Sequence, residues 1–116
     1  MAMLVKKIGD AKPYEAPNHY DVRGLRLQGF EAGGPENFWV GLSYFLPGGG
    51  AGPDASPLEK VYVVLSGHLC VRAGEEETVL GPHDSLTIGP NVERHILNKT
   101  NEPVSMIVVM PYPKPS

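Results

Sequence analysis

From Gly24 onward the chain runs in short apolar stretches rich in Val, Ile, Leu, Tyr and Phe, each closed by Gly, Pro, Asn or Asp. This punctuation predicts strands over residues 24–30, 38–46, 61–65, 69–72, 77–80, 85–88, 94–98 and 104–110. Turn residues at Gly67, Gly74, Gly81-Pro82, Gly89-Pro90-Asn91 and Asn101-Glu102-Pro103 separate them. No segment holds a long helical period, so the pattern implies an all-β sandwich or barrel. The first stretch is different. Two prolines in Lys12-Pro13-Tyr14-Glu15-Ala16-Pro17-Asn18-His19 and the lack of any period predict an irregular N-terminal segment over 1–22.

Two of the strands do not alternate. Val61-Tyr62-Val63-Val64-Leu65 and Met106-Ile107-Val108-Val109-Met110 are apolar on both faces. Such a strand needs cover on both sides, since one face can fill an interior while the other stays bare. A homodimer would supply that cover; the alternative is that the N-terminal segment folds over the outer face.

Length and composition narrow the rest. A chain of 116 residues has room for one domain and one core, read here as 1–116. The 14 glycines and 12 prolines fall between apolar runs, as turns do in a β protein. A formal net charge of −3 offers no electrostatic footprint for nucleic acid or an anionic membrane. Cys70 is the single cysteine, so no intramolecular disulfide forms, and a reducing cytoplasm is the expected setting.

The order of residues also resembles the cupin family. The first cupin motif joins a Pro-Gly turn, a His-x-His pair, a glutamate and a closing glycine. Here Pro47-Gly48-Gly49-Gly50 opens such a stretch, and Val61-Tyr62-Val63-Val64-Leu65-Ser66-Gly67 matches the strand and glycine that close it. The second motif carries a Pro-x-Gly turn, a histidine and an asparagine; His83 to Asn98, with Gly89-Pro90-Asn91, is similar to it. The resemblance implies a cupin-type double-stranded β-helix, or jelly-roll barrel, with its core over 38–110. Cupins host many unrelated chemistries, so function has to come from the site.

On that resemblance the usual metal-ligand positions fall on Asp54, Ser56, Lys60 and Arg94. Lysine and arginine are protonated at neutral pH and repel a cation, while a serine hydroxyl is a poor ligand. The reading is therefore no metal and no other cofactor. A slip of one residue at Gly89-Pro90-Asn91 would turn His95 inward in place of Arg94, leaving His95 and Asp54 as a weak fallback pair.

Strand alternation puts Lys60, Tyr62 and Val64 on one face, and Arg94, Ile96 and Asn98 on one face of a second strand. If both faces are the barrel interior, Lys60 and Arg94 meet across a cavity. Two cations and one Asp54 call for an anion. The candidate catalytic residues are Lys60, Arg94 and Tyr62, and the candidate ligand-binding residues are Asp54, Ser56, Trp39, Tyr44 and Asn98. A lysine held near arginine and away from water can serve as a base or a Schiff-base amine.

Among the remaining residues, His68 and His83 read as solvated turn positions and His19 as part of the irregular N-terminal segment, with a lid as the lesser alternative. Gly48-Gly49-Gly50-Ala51-Gly52 reads as a flexible entrance loop. The function expected is a small-molecule cupin that acts on a small anionic or carbonyl metabolite by proton transfer, isomerisation or bond cleavage. The alternatives are a non-catalytic binding or sensor protein, a metal-dependent enzyme with atypical ligands, or a purely architectural pairing of Lys60 with Asp54 or Glu93.

Overall fold

A computed structural model describes residues 2–113. Nine strands make a nearly closed antiparallel barrel: β1 (Lys12–Tyr14), β2 (His19–Gln28), β3 (Phe38–Asp54), β4 (Lys60–Ser66), β5 (Leu69–Ala73), β6 (Glu76–Leu80), β7 (Ser85–Ile88), β8 (Arg94–Leu97) and β9 (Val104–Pro111). The main path runs β6-β5-β8-β3-β9-β4-β7, with β2 added to β3 and β1 to β2. This is an all-β barrel, as the strand pattern implies, with the jelly-roll architecture that the cupin resemblance implies. No helix among the described residues is long and apolar enough to cross a membrane.

β3 organises the barrel. Its first half pairs with β9 on one side and β2 on the other, from Phe38↔Pro111 to Phe45↔Val104 and from Val40↔Gln28 to Phe45↔Val22. Its second half turns away to meet β8, with Gly50↔Leu97 and Ala51↔Ile96. One strand thus serves both layers.

The glycine run makes that bend possible, and it corrects one expectation. Residues 48–52 are not an entrance loop but paired strand, with Gly49, Gly50 and Ala51 buried. A Cβ on Gly49 would collide with the Asp21 carbonyl, and one on Gly50 with the Ile96 carbonyl. Glycine stands there because two backbones approach too closely for any side chain.

Inward alternation supplies the core. Phe45, Val64, Leu69, Val71, Ile88, Ile96 and Val104 are all at most 2% exposed. Removing each from water contributes about 1.5–3 kcal/mol, which makes this interior the main source of stability. The outer face of β4 and β9 stays partly bare. Val61 sits opposite Val109 and Val63 opposite Ile107, all four half-buried, with Leu65 exposed beside them.

The N-terminal region is more ordered than its composition suggests. Ile8–Asp10 forms a single 3-10 turn, and β1 pairs with β2 through Tyr14↔Gly24. β2 starts at His19, five residues before the predicted strand, and Phe30 falls in a 3-10 turn instead of the strand end. Hydrogen bonding to β2 outweighs the weak local propensity of this stretch. Met3, Val5 and Ile8 remain exposed.

Candidate functional site

The barrel interior is not filled. A cavity of about 310 Å³ opens between the two layers and is walled by β3, β4, β8, β9 and the segment that joins β1 to β2. Asp54, Ser56, Lys60, Tyr62, Arg94 and Trp39 all line it. Tyr44 and Asn98 do not.

Tyr44 is excluded by the two-residue period. It lies an odd number of positions from Trp39 on β3, so one strand cannot aim both inward. Trp39 is 8% exposed, whereas Tyr44 is 38% exposed and faces out. Asn98 has the inward parity of Arg94 and Ile96 and is fully buried, but its amide is spent on backbone. Its Nδ2 donates to the Phe45 and Glu102 carbonyls at 3.2 and 2.7 Å. Its Oδ1 accepts from the Thr100 N–H at 3.0 Å and the Thr100 hydroxyl at 2.7 Å. With its hydrogen-bonding capacity occupied, Asn98 locks the β8–β9 turn.

Arg94 faces the cavity and His95 the outside. The His95 ring meets the Tyr20 hydroxyl at 3.2 Å and borders a separate outer recess with Pro53, Arg72 and Glu93. His95 and Asp54 therefore do not converge. At the positions where cupins carry metal ligands, the cavity presents Lys60 and Arg94 beside Asp54 and Ser56. Among the described residues no three His, Cys, Asp or Glu side chains gather as a metal site. This donor set does not fit a divalent cation.

The loop before β4 fixes Asp54 and Ser56. Asp54 Oδ1 accepts the Ala55 N–H at 2.9 Å, Ser56 Oγ accepts the Leu58 N–H at 3.0 Å, and the Ser56 carbonyl accepts the Asn91 N–H at 2.7 Å. Lys60 opens β4 opposite Ile88 and is 3% exposed. It makes no ion pair with Asp54 or Glu93; the pairs among the described residues are Arg26–Glu31 and Lys99–Glu77.

Arg94 is 9% exposed, and its Nε and Nη1 are buried without a hydrogen-bond partner. An unmade hydrogen bond at a buried donor costs about 1–3 kcal/mol, more for a charged group. Burial holds the Lys60 amine below its ordinary pKa, Arg94 lowers it further, and Asp54 partly offsets both. Tyr62 is shifted the other way: burial raises its phenol, and the nearby charge of Arg94 pulls it back. Around Lys60 and Arg94 the cavity is cationic, with Asp54 beside them and the exposed Glu15 also in the lining.

Two further residues belong to the cavity that strand parity alone could not place there. His19 enters from β2, and its Nδ1–H donates to the Pro17 carbonyl at 2.7 Å, leaving Nε2 as the acceptor of the neutral ring. Burial lowers its pKa first; the Pro17 bond raises it, Arg94 lowers it and Asp54 raises it. Arg26 comes from β2 on the far side. Its guanidinium lies 3.9 Å from the Tyr14 ring centroid, 4.4 Å from Phe30 and 4.7 Å from Trp39, and its Nε donates to Glu31 at 3.3 Å. No local signal marks these contacts, because the partners come from three separate parts of the chain.

The comparisons with known proteins agree with this architecture. Residues 41–110 match the family described as the cupin domain. Beta-D-galactosidase Rv1717 of Mycobacterium tuberculosis is 43% identical over 111 residues, covering 96% of each chain. A polyketide cyclase from Streptomyces resistomycificus superposes with a TM-score of 0.82 at 19% identity, covering 98% of this chain and 82% of that one. An RmlC-like cupin from Shewanella frigidimarina gives 0.79 at 16% identity, covering 97% and 94%. At those identities the two structures speak for the fold alone. With the family match, the barrel and the cavity in hand, this chain belongs to the cupin domain family.

Proposed function

We propose that this cupin is an enzyme that takes a small glycoside-like metabolite into its barrel and cleaves a bond in it without a resident metal. The observation that carries the reading is the pair Lys60 and Arg94, buried in an open cavity beside the carboxylate of Asp54, with the exposed Glu15 also in the lining. Such an arrangement is costly as architecture and useful as a binding site. The relative named as a beta-D-galactosidase supports a β-galactoside as the first substrate class to test.

Hydrolysis adds water across the glycosidic C–O bond. In this reading Asp54 takes the proton from water, and the Lys60 ammonium, made more acidic by burial and by Arg94, gives one to the leaving oxygen. Arg94 and Tyr62 hold the substrate in place. Ser56 and Trp39 contact it from the walls. A single cysteine favours a reducing, cytoplasmic setting. The half-buried apolar patch of Val61, Val63, Ile107 and Val109 supports a homodimer formed through the outer face of β4 and β9.

The test is turnover of an aryl β-D-galactoside by the purified protein in the presence of a chelator. Activity is expected to persist with chelator and to fall about a hundredfold or more in Asp54→Asn and in Lys60→Arg, because arginine does not release its proton at working pH. Lys60→Arg is expected still to bind. No turnover of any galactoside, or activity that tracks added metal, overturns the reading.

A further inference from the structure

The cavity differs in chemistry from end to end: Arg26 on the far side is paired with Glu31, the exposed Glu15 is also in the lining, and the unpaired buried cations lie together. At one end Arg94 presents two buried N–H groups with no acceptor, beside the buried ammonium of Lys60. Asp54 balances only one of these charges, and its Oδ1 is already engaged by the Ala55 N–H. The walls also carry the hydroxyls of Ser43, Tyr14 and, close to Arg94, Tyr62, set among Phe45, Met106 and Val108. Hydroxyls donate and accept alike, so they suit vicinal hydroxyls on a ring, and the apolar patches suit its C–H face.

Size sets a further limit. A volume of about 310 Å³ is at the small end of ligand pockets, which run from about 300 to 1,000 Å³. It suits one sugar ring and not an oligosaccharide buried along its length.

A neutral sugar could offer hydroxyl oxygens to the guanidinium, but it would leave the surplus positive charge unbalanced in a site shielded from water. A carboxylate or phosphate supplies both the acceptors and the charge, and matches the planar fork of Arg94 in a way a hydroxyl does not.

Resting on the glycoside reading above, we infer that the preferred ligand is an acidic monosaccharide, its anionic group held by Arg94 and Lys60 and its ring lying between Tyr62 and the Ser43–Tyr14 wall. The anion is a ring carboxylate or a sugar phosphate, since both present the same charged oxygens to the guanidinium.

The experiment is calorimetric binding of three probes of one ring type: methyl β-D-galactopyranoside, the corresponding methyl β-D-galactopyranosiduronate, and galactose 6-phosphate. Each is measured with wild type, Arg94→Gln, Arg94→Ala and the exposed-charge control Lys7→Ala. An acidic probe is expected to bind at least about tenfold more tightly than the neutral galactoside. That preference should shrink to about twofold in both Arg94 variants and stay intact in Lys7→Ala. Arg94→Gln keeps the first part of the stem and a neutral donor, so it serves if the alanine variant misfolds. Whichever acid binds better identifies the anion as carboxylate or phosphate. Equal binding of acidic and neutral galactosides overturns the inference and leaves the glycoside reading standing. Binding of simple acids such as acetate or inorganic phosphate with no gain from the sugar ring, or no binding of any probe, overturns both.

Discussion

Asp54 and Arg94 stand opposite each other where β3 meets β8, yet they form no ion pair. The Asp54 carboxylate turns back onto the Ala55 N–H, and the Nε and Nη1 of Arg94 are left buried without a hydrogen-bond partner. The register brings opposite charges together; the side chains decline the contact. A ligand-shaped need remains where a salt bridge would have closed the site.

The ligand-free protein should therefore be strained at Arg94. Arg94→Met keeps length and apolar bulk while removing the charge, and is expected to raise unfolding stability by about 1–3 kcal/mol. Urea denaturation of both proteins without ligand measures it. A loss of similar size would mean that Arg94 is tied into the fold.

His19 gives a pH dependence with a defined sign. Its folded pKa lies below the ordinary 6.5, so below that value the unfolded chain binds the proton more readily than the folded one. The contribution is absent well above 6.5 and becomes a loss of stability as pH falls through 6.5 toward the folded pKa. His19→Gln should therefore gain relative stability over wild type between neutral pH and mild acid. Parallel melting curves from pH 8 to about pH 5 would show it. Superimposable profiles would count against burial of the ring.

Lys60 reports with the same sign at the alkaline end of the scale. Its folded pKa is lowered from 10.5, so at neutral pH the protein bears the full cost of holding the ammonium away from water. That cost fades as pH rises through the folded pKa toward 10.5. Lys60→Met is expected to be the more stable protein at pH 7, with the advantage shrinking in alkali. An advantage that is constant with pH would point to packing rather than charge.

Gly50→Ala tests the bend in β3. The added Cβ meets the Ile96 carbonyl, a backbone atom that cannot swing aside, so a loss of about 1–3 kcal/mol is expected. Gly74→Ala offers the contrast: nothing crowds its Cβ, and only its positive φ of 59° resists. Thermal unfolding of the two variants separates close approach from backbone strain.

The outer face supplies the last test. Val63→Lys places a charge in the middle of the patch with Ile107 and Val109 while leaving the barrel interior untouched. If β4 and β9 form the dimer contact, light scattering should report a dimer for wild type and a monomer for the variant. A wild-type monomer would retire the interface.

The sequence by itself determined the strands from β4 to β9, their turns and the side on which each residue falls. Short apolar runs, closed by glycine, proline and asparagine, have few ways to bury themselves, and a period of two fixes each face locally. That is why Lys60 shared a face with Tyr62, and Arg94 with Ile96; the cupin resemblance made those faces the interior, and the tertiary structure chose Arg94 over His95. The tertiary structure decided what depends on distant backbone. It took the bend of β3 to bury the glycine run, and the pairing of β1 with β2 to bring Tyr14 beside Arg26 and Trp39. It placed His19 beside a cavity built mainly by strands later in the chain. It also turned Asn98 to the backbone of Phe45 and Glu102, because an inward parity says which way a side chain points and not whether a carbonyl or a cavity awaits it there.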